Sequence, residues 1–247
     1  MWWQILNAVF RRRNKGCESA INHCPWKALL AHAENNCSGL DEPYFRRFPV
    51  QRANFRGYIE SLQMLESRNF AAIEQQVYWI NLHNALALEG HFSALNDAYN
   101  LQQQGLDRHK RVYTHVQRNV RRVSSMARHY MLRAIEDSAM GLCGDLRVHC
   151  LLWSSTQRRL PRFYTIYTIN AALHSSAKHF INSRAAVRIE SHQIRINRIY
   201  QSYVEKFGVS EYGILDHLED YARPLLKIAI RRAKRNNFDV CYDYVNV

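Results

Sequence analysis

Residues 74–86 read Glu-Gln-Gln-Val-Tyr-Trp-Ile-Asn-Leu-His-Asn-Ala-Leu. They belong to the most hydrophobic helical stretch of the chain, Ala71 to Leu95. Its apolar side chains fall on every side of the helix, which indicates burial in the middle of a domain. Asn81, His83 and Asn84 lie inside it, and each buried polar group without a partner costs about 1–3 kcal/mol. We therefore expect a central helix whose amides either clamp neighbouring segments or belong to a site.

Helical periodicity also marks segments on both sides of this stretch. Apolar residues recur every three or four positions between Asn54 and Asn69. A second pattern begins at Ser124 or Ser125 and ends near Asp137, with one of the serines as the N-cap. Four more helices are expected further along the chain, at 166–180, 200–207, 211–221 and from Pro224 onward.

Alternating apolar and polar residues mark the candidate strands. The first is Arg147–Trp153, where alternation places His149 and Cys150 on opposite faces. A hairpin is predicted over 187–197 and a last strand over 238–244.

Because helices outnumber strands, we predict an α+β fold, a mostly helical single domain around a small, largely antiparallel sheet. Residues 1–27 would form an N-terminal helical extension, and residues 28–247 the domain.

Composition limits the class of protein. The chain has 247 residues, 47% of them hydrophobic and 22% charged, which is typical of a globular domain with a real core. Six cysteines spread over this length do not resemble a disulfide scaffold, and they lack the spacing of a zinc site. No apolar run approaches the roughly 20 residues that a membrane-spanning helix needs.

Positive charge is the most unusual property of the chain. Lys and Arg number 34 against 21 Asp and Glu, giving a formal charge of +13, and only seven of the 34 are Lys. Arg favours bidentate recognition of phosphate or carboxylate. The basic residues are dispersed, however, and no nucleic-acid-binding motif accompanies them. Nucleic-acid binding through dispersed Arg is therefore kept as an alternative only.

Four segments, taken in order, are similar to the domain-of-unknown-function 547 family. Residues 74–86 resemble its hallmark helix, and 125–133 resemble a helix that carries a histidine, matched here by His129. Arg147-Val148-His149 resembles an Arg-Ile-His strand start, and 242–246 resemble its closing Tyr-Asp segment. The resemblance implies a shared fold, while the family's activity is not established.

One segment departs from that family's pattern. After the His-bearing strand the family usually carries a Cys-x-Ser-x-Ser-Cys-Pro type segment, whereas residues 154–161 contain neither cysteine. Ser154 takes the place of the first cysteine. Thiol chemistry assigned to this loop by the resemblance is therefore not expected in this chain.

One functional hypothesis is a catalytic cleft. The order of helix, His149 strand and Asp243 strand is similar to that of papain-like and transglutaminase folds, where a cysteine attacks and a histidine is the base. Here Ser154 would be the nucleophile, and Asn81 and Asn84 would donate to an oxyanion. The activity would be hydrolysis or acyl transfer.

The leading hypothesis is a non-catalytic binding or interaction domain. In it Asn81, Asn84, His129 and Arg147 form a ligand-binding or structural polar network, and Asp243 holds His149 or caps a turn. A buried network of this kind fixes one packing without doing chemistry.

Expectations about partners and location are limited. Without a Gly-rich phosphate loop we expect no nucleotide, flavin or haem cofactor. We also expect no metal, because tight Cys-x-x-Cys or His-x-x-x-His pairs are absent. The partner would be an unknown small molecule or protein. Residues 1–13 lack the order of a secretory signal, which favours the cytoplasm, and they offer an alternative peripheral membrane contact.

Overall fold

A computed structural model describes part of the chain, namely residues 22–36, 49–67, 70–103, 124–125, 128–129, 135, 138–139, 145–153, 161–190 and 192–243. Its helices are α1 Cys24–Asn36, α2 Pro49–Gln63, α3 Ala72–Gln103, α4 Ile169–Ile181, α5 Ile199–Phe207, α6 Glu211–Tyr221 and α7 Pro224–Arg235. Its strands are β1 Ser124–Ser125, β2 Arg128–His129, β3 Val187–Glu190, β4 Gln193–Asn197 and β5 Asp239–Asp243. The predicted α+β class, mostly helical with a small sheet, is confirmed.

The three-stranded sheet has the order β3-β4-β5 and is mixed. Strands β3 and β4 form the predicted antiparallel hairpin, in which Val187 pairs with Ile196. Strand β5 runs parallel to β4. Helices α5, α6 and α7 return the chain to the end of the sheet at which β4 begins, and β5 starts there. This crossover brings Asn197 opposite Asp243.

The central helix α3 holds the core together. It begins where Glu74 accepts the backbone N–H of Ala71 at 3.1 Å, as in a capping box. Between 77 and 88 its side chains are buried on every side, which confirms the expected burial of this helix. It extends to Gln103, eight residues beyond the predicted end.

Helix α1 packs on α2, and α2 packs on α3. Trp26 of α1 is completely buried and contacts the rings of Phe55 and Tyr58. Helix α1 therefore runs across the expected boundary between residues 27 and 28. The remainder of the expected extension, 1–21, lies outside the described residues.

The predicted strand Arg147–Trp153 is wrong. Val148–Cys150 form a turn of 3-10 helix, and Leu152 and Trp153 after it belong to no helix or strand. Local bonds favour the turn: the Asp145 carboxylate accepts the backbone N–H of Arg147 at 2.9 Å, and Asp145 O accepts that of Val148 at 3.1 Å. The backbone polar groups thus find partners without a neighbouring strand.

The predicted helix from Ser124 or Ser125 is also wrong at its start. Strands β1 and β2 pair antiparallel, with Ser124 opposite His129. Serine hydroxyls compete with helical hydrogen bonds, so two serines in a row give a helix little support. Further along the predicted stretch, Ile135 is helical.

None of the described helices combines the length and the apolar character needed to cross a membrane.

Candidate functional site

Asn81 clamps the chain at Tyr164. Its Nδ2 donates to the Tyr164 carbonyl at 2.8 Å, and its Oδ1 accepts the Tyr164 N–H at 2.8 Å. Nδ2 also lies 3.4 Å from Nε2 of His23, whose Nδ1 is 2.9 Å from the Tyr58 hydroxyl. Since an amide nitrogen only donates, Nε2 of His23 accepts, and Nδ1 carries the imidazole proton. Burial lowers the pKa of His23 to about 4, which keeps the ring neutral.

Asn84, one helical turn later, makes the same kind of clamp. Its Nδ2 donates to the Leu151 carbonyl at 2.9 Å, and its Oδ1 accepts the Trp153 N–H at 2.7 Å. Nδ1 of His83 lies 3.1 Å from the same Oδ1 and donates to it. Both asparagines are fully buried, and each satisfies one carbonyl and one N–H of a neighbouring segment.

The two clamps hold the chain on both sides of residues 154–160. Asn84 fixes the segment that ends at Trp153, and Asn81 fixes the segment that contains Tyr164. Residues 154–160, which include Ser154, lie outside the described residues. The catalytic hypothesis assigned the amides of Asn81 and Asn84 to an oxyanion. In the structure both amides are hydrogen-bonded to main-chain groups instead.

His149 lies among aromatic rings. Its ring meets Phe180, Tyr200 and Tyr203 edge-on, with centroid separations of 5.2, 5.0 and 5.9 Å. Nδ1 is buried without a well-formed hydrogen bond, and the ring has a weak backbone contact with Leu146. Burial, with a smaller contribution from His217, lowers the pKa of His149 to about 3. The imidazole is therefore neutral near pH 7.

Cys150 stands beside this imidazole, with Sγ 3.3 Å from Nε2 of His149. The sequence prediction missed this pair, because a strand would have placed the two side chains on opposite faces. In a 3-10 turn, with about three residues per turn, neighbouring side chains are only about 120° apart. Burial, reinforced by the Asp145 carboxylate, raises the pKa of Cys150 to about 12. The pair is a thiol beside a neutral imidazole, whereas a nucleophilic cysteine needs a lowered pKa.

Arg147 ties the 3-10 turn to two helices. It forms a forked pair with Asp145, Nε to Oδ1 at 2.9 Å and Nη2 to Oδ2 at 2.8 Å. Its Nη1 reaches Asn170 of α4 at 3.3 Å and the Tyr221 hydroxyl of α6 at 3.4 Å. Burial opposes ionisation of Asp145, but the hydrogen bonds from Arg147 hold its pKa below the ordinary value. Arg147 thus joins the 3-10 turn to α4 and α6.

Asp243 is engaged with Arg195 on the adjacent strand. Its Oδ2 accepts from Nη1 of Arg195 at 2.7 Å, and its carbonyl accepts the backbone N–H of Arg198 at 2.9 Å. Among the residues that the structure describes, no hydrogen bond or ion pair joins Asp243 to His149. The structure therefore brings His149 and Arg147 together in one turn and gives Asp243 a different partner.

His217 and Tyr200 lie with His149 in a group of buried and half-buried rings that we call the histidine cluster. Sequence reasoning missed both residues. Their rings lie 6.0 Å apart, and neither the Tyr200 hydroxyl nor Nε2 of His217 has a hydrogen-bond partner in the described part of the chain. Burial lowers the pKa of His217 to about 4. A signal for this cluster was present in the sequence, because Tyr200, Tyr203 and His217 all lie in the two predicted short helices, 200–207 and 211–221.

The other predicted site residues give less information. The backbone of His129 pairs with Ser124 in the small hairpin. In the described ranges, no group of three or more His, Cys, Asp or Glu side chains is arranged to hold a metal ion.

A groove opens between α1 and α2. Its volume is about 650 Å³, and its wall combines apolar side chains with polar ones, among them His32, Gln51, Asn54, Tyr58 and Ser61. Gly57 lies on this wall, and a Cβ atom at that position would meet no atom within 4 Å. The groove is large enough for a small molecule or a short peptide segment.

Comparisons with protein-family models, with curated proteins and with solved structures each give no match for this chain.

Proposed function

We propose that this chain is a non-catalytic binding domain built on a fold like that of the domain-of-unknown-function 547 family. The observation that carries the proposal is the double clamp, in which the side-chain amides of Asn81 and Asn84 are hydrogen-bonded to main-chain groups. A polar helix used in this way stabilises one packing, and neither asparagine amide is left to donate to an oxyanion.

The state of the histidine cluster supports the same conclusion. A general base works best when its pKa lies near the operating pH, but burial places that of His149 near 3. The adjacent Cys150 is held as a thiol, and Asp243 is paired with Arg195. A hydrolase or acyl transferase centred on His149 and Asp243 is the alternative, and it would need both groups in other surroundings.

The groove between α1 and α2 is the binding surface that we propose. It offers an apolar wall with a few convergent polar groups, the usual character of a ligand site. Its wall includes Tyr58, whose hydroxyl is joined through His23 to Asn81. Occupation of the groove would therefore act on the same hydrogen-bonded chain that clamps Tyr164.

Turnover assays test the non-catalytic part of the proposal. The purified protein is incubated with peptide, thioester and amide substrates, beside the variants Ser154→Ala and His149→Ala. We expect no turnover above the buffer rate for any of the three proteins. Turnover by the wild type that either substitution abolishes would overturn the proposal and establish the enzyme alternative.

Ligand-observed fluorine NMR with a set of fluorinated aromatic amides tests the groove. Gly57→Phe should fill the groove and weaken the binding of hits at least tenfold. The matched control, Met64→Phe, adds a ring at an exposed position outside the groove wall and should leave binding unchanged. Equal binding by all three proteins, or a complete lack of hits, would contradict the groove as the binding surface.

A further inference from the structure

The outward side of α7 presents apolar and cationic side chains together. Leu225 and Ile228 are 84% and 62% exposed, and they lie three residues apart on the same side of the helix. Arg232 and Arg235 continue that side for two more turns and are also exposed. We call these four residues the outer face of α7. The opposite side carries the buried Ile230 and Ala233, so the helix is already anchored to the core without the outer face.

The charges of α6 and α7 leave the outer face positive. Glu219 of α6 pairs with Arg231 at 2.7 Å and with Lys234 at 3.2 Å, and Lys234 also binds Asp216. These acidic groups are therefore engaged at the junction of the two helices. In the described part of the chain, Arg232 and Arg235 form no ion pair.

We infer that the outer face of α7 docks on an anionic lipid surface. A basic amphipathic helix lies in the plane of such a surface, with aliphatic side chains in the acyl boundary and cations at the phosphates. Leu225 and Ile228 would supply the first contact, while the long stems of Arg232 and Arg235 let their guanidinium groups reach headgroups. This inference concerns a surface separate from the groove and does not depend on the proposed function.

The same features disfavour two other occupants. A second copy of the chain would bring like charges together, because the outer face is positive and the whole protein has a formal charge of +13. A nucleic acid would pair with the arginines but would give no apolar environment to the two exposed aliphatic side chains, Leu225 and Ile228. A lipid surface satisfies both kinds of group, and the charge of the whole protein would attract it over a Debye length of about 8 Å at physiological salt.

Vesicle co-sedimentation tests the inference. The full chain is mixed with vesicles of pure phosphatidylcholine and with vesicles containing 30% phosphatidylserine, each at 50 and 300 mM salt. Near an anionic surface each arginine contributes about fivefold to the affinity. We therefore expect Arg232→Gln/Arg235→Gln to lower the partition coefficient about 25-fold, and Leu225→Ser/Ile228→Ser to lower it at least tenfold.

The matched control removes two charges elsewhere. Lys27→Gln/Arg162→Gln alters two exposed cations outside α7 and should reduce partitioning by less than threefold. Thermal melts of all variants should agree with the wild type, because every substituted side chain is exposed.

Three results would overturn the inference. The first is equal binding to neutral and anionic vesicles. The second is a partition coefficient that falls as far in the control variant as in the arginine variant. The third is a fall in the arginine variant with no change in the Leu225→Ser/Ile228→Ser variant. In the last case filter binding of single- and double-stranded oligonucleotides would show whether the face is a polyanion surface instead.

Discussion

The side chain of Asn84 replaces a neighbouring strand for Trp153, whose backbone N–H it accepts at 2.7 Å while it donates to the Leu151 carbonyl at 2.9 Å. A buried helix thus satisfies an irregular segment that has no ladder of its own. Asn81 does the same for Tyr164, 83 positions along the chain. These long-range bonds join α3 to the segment that follows His149 and to the segment that contains Tyr164.

Substitution of Asn84 should destabilise the fold. Asn84→Ala leaves a carbonyl and an N–H buried without partners, and we expect the free energy of unfolding to fall by about 2–4 kcal/mol. Asn84→Asp should also destabilise, because a carboxylate cannot donate to the Leu151 carbonyl. Urea denaturation measures both. Asn236→Ala, at an exposed position, is the control and should change stability by less than about 0.5 kcal/mol. A similar loss in Asn84→Ala and Asn236→Ala would contradict the clamp.

Cys150 should react slowly with alkylating reagents. Its thiol is half-buried and has a pKa raised to about 12, so little thiolate exists at pH 8. Cys24 is exposed and serves as the internal comparison. After a short treatment of the native protein with iodoacetamide, peptide mass spectrometry should find Cys24 modified and Cys150 intact, and both modified in guanidinium chloride. Rapid labelling of native Cys150 would refute the raised pKa of this thiol.

Stability should fall as the pH drops below about 6.5. Burial lowers the pKa of His149 to about 3 and that of His217 to about 4, from an ordinary value of 6.5. Below 6.5 the unfolded chain therefore binds protons that the folded chain does not. Each such histidine makes unfolding more favourable by about 1.4 kcal/mol per pH unit until its folded pKa is reached. Chemical denaturation between pH 7.5 and 5 measures the slope.

A variant separates this effect from general acid sensitivity. His217→Phe removes one buried titrating ring and should reduce the slope by about 1.4 kcal/mol per pH unit between pH 6 and 5. His179→Phe, at an exposed position on α4, should leave the slope closer to that of the wild type. Unchanged slopes in both variants would show that His217 is not buried as a neutral imidazole.

The forked pair of Arg147 should not tolerate lysine. Lysine cannot make two parallel bonds to Asp145 and also reach Asn170 and Tyr221, so Arg147→Lys should cost about 1–3 kcal/mol in unfolding free energy. Arg231→Lys is a suitable control, since Arg231 pairs with Glu219 at a 52% exposed position and surface pairs contribute little. Thermal melts of both variants give the comparison. Equal shifts in melting temperature would mean that Arg147 is an ordinary surface cation.

Local patterns predicted most helices and the hairpin. Helix α6 matches its predicted range of 211–221, and Ser210 caps it by accepting the N–H of Gly213. The 187–197 hairpin forms as predicted, and its alternating Ile194 and Ile196 are buried. These elements are encoded by neighbours in sequence, through caps, proline positions and apolar spacing. The parallel pairing of β5 was not readable in this way, because it depends on how three helices return the chain.

Only part of the membership of the site was predictable from the sequence. Sequence indicated that Asn81 and Asn84 need partners, and it offered a clamp and an oxyanion role as alternatives. The partners, Tyr164 O and N–H and the Leu151 and Trp153 backbone, lie tens of residues away. The pair of His149 and Cys150 was missed because a period-two pattern over seven residues favoured a strand, whereas bonds from Asp145 stabilise a turn.

By itself the sequence determined which residues must be buried, because a helix that is apolar all round has no face to present to water. It also determined that the amides within that helix would be costly without partners. Only the tertiary structure decided what those partners are, and with them whether the polar groups clamp the chain or face a substrate. Desolvation depends on every segment packed around a group, so the neutral states of His149 and Cys150 emerge only once the whole fold surrounds them.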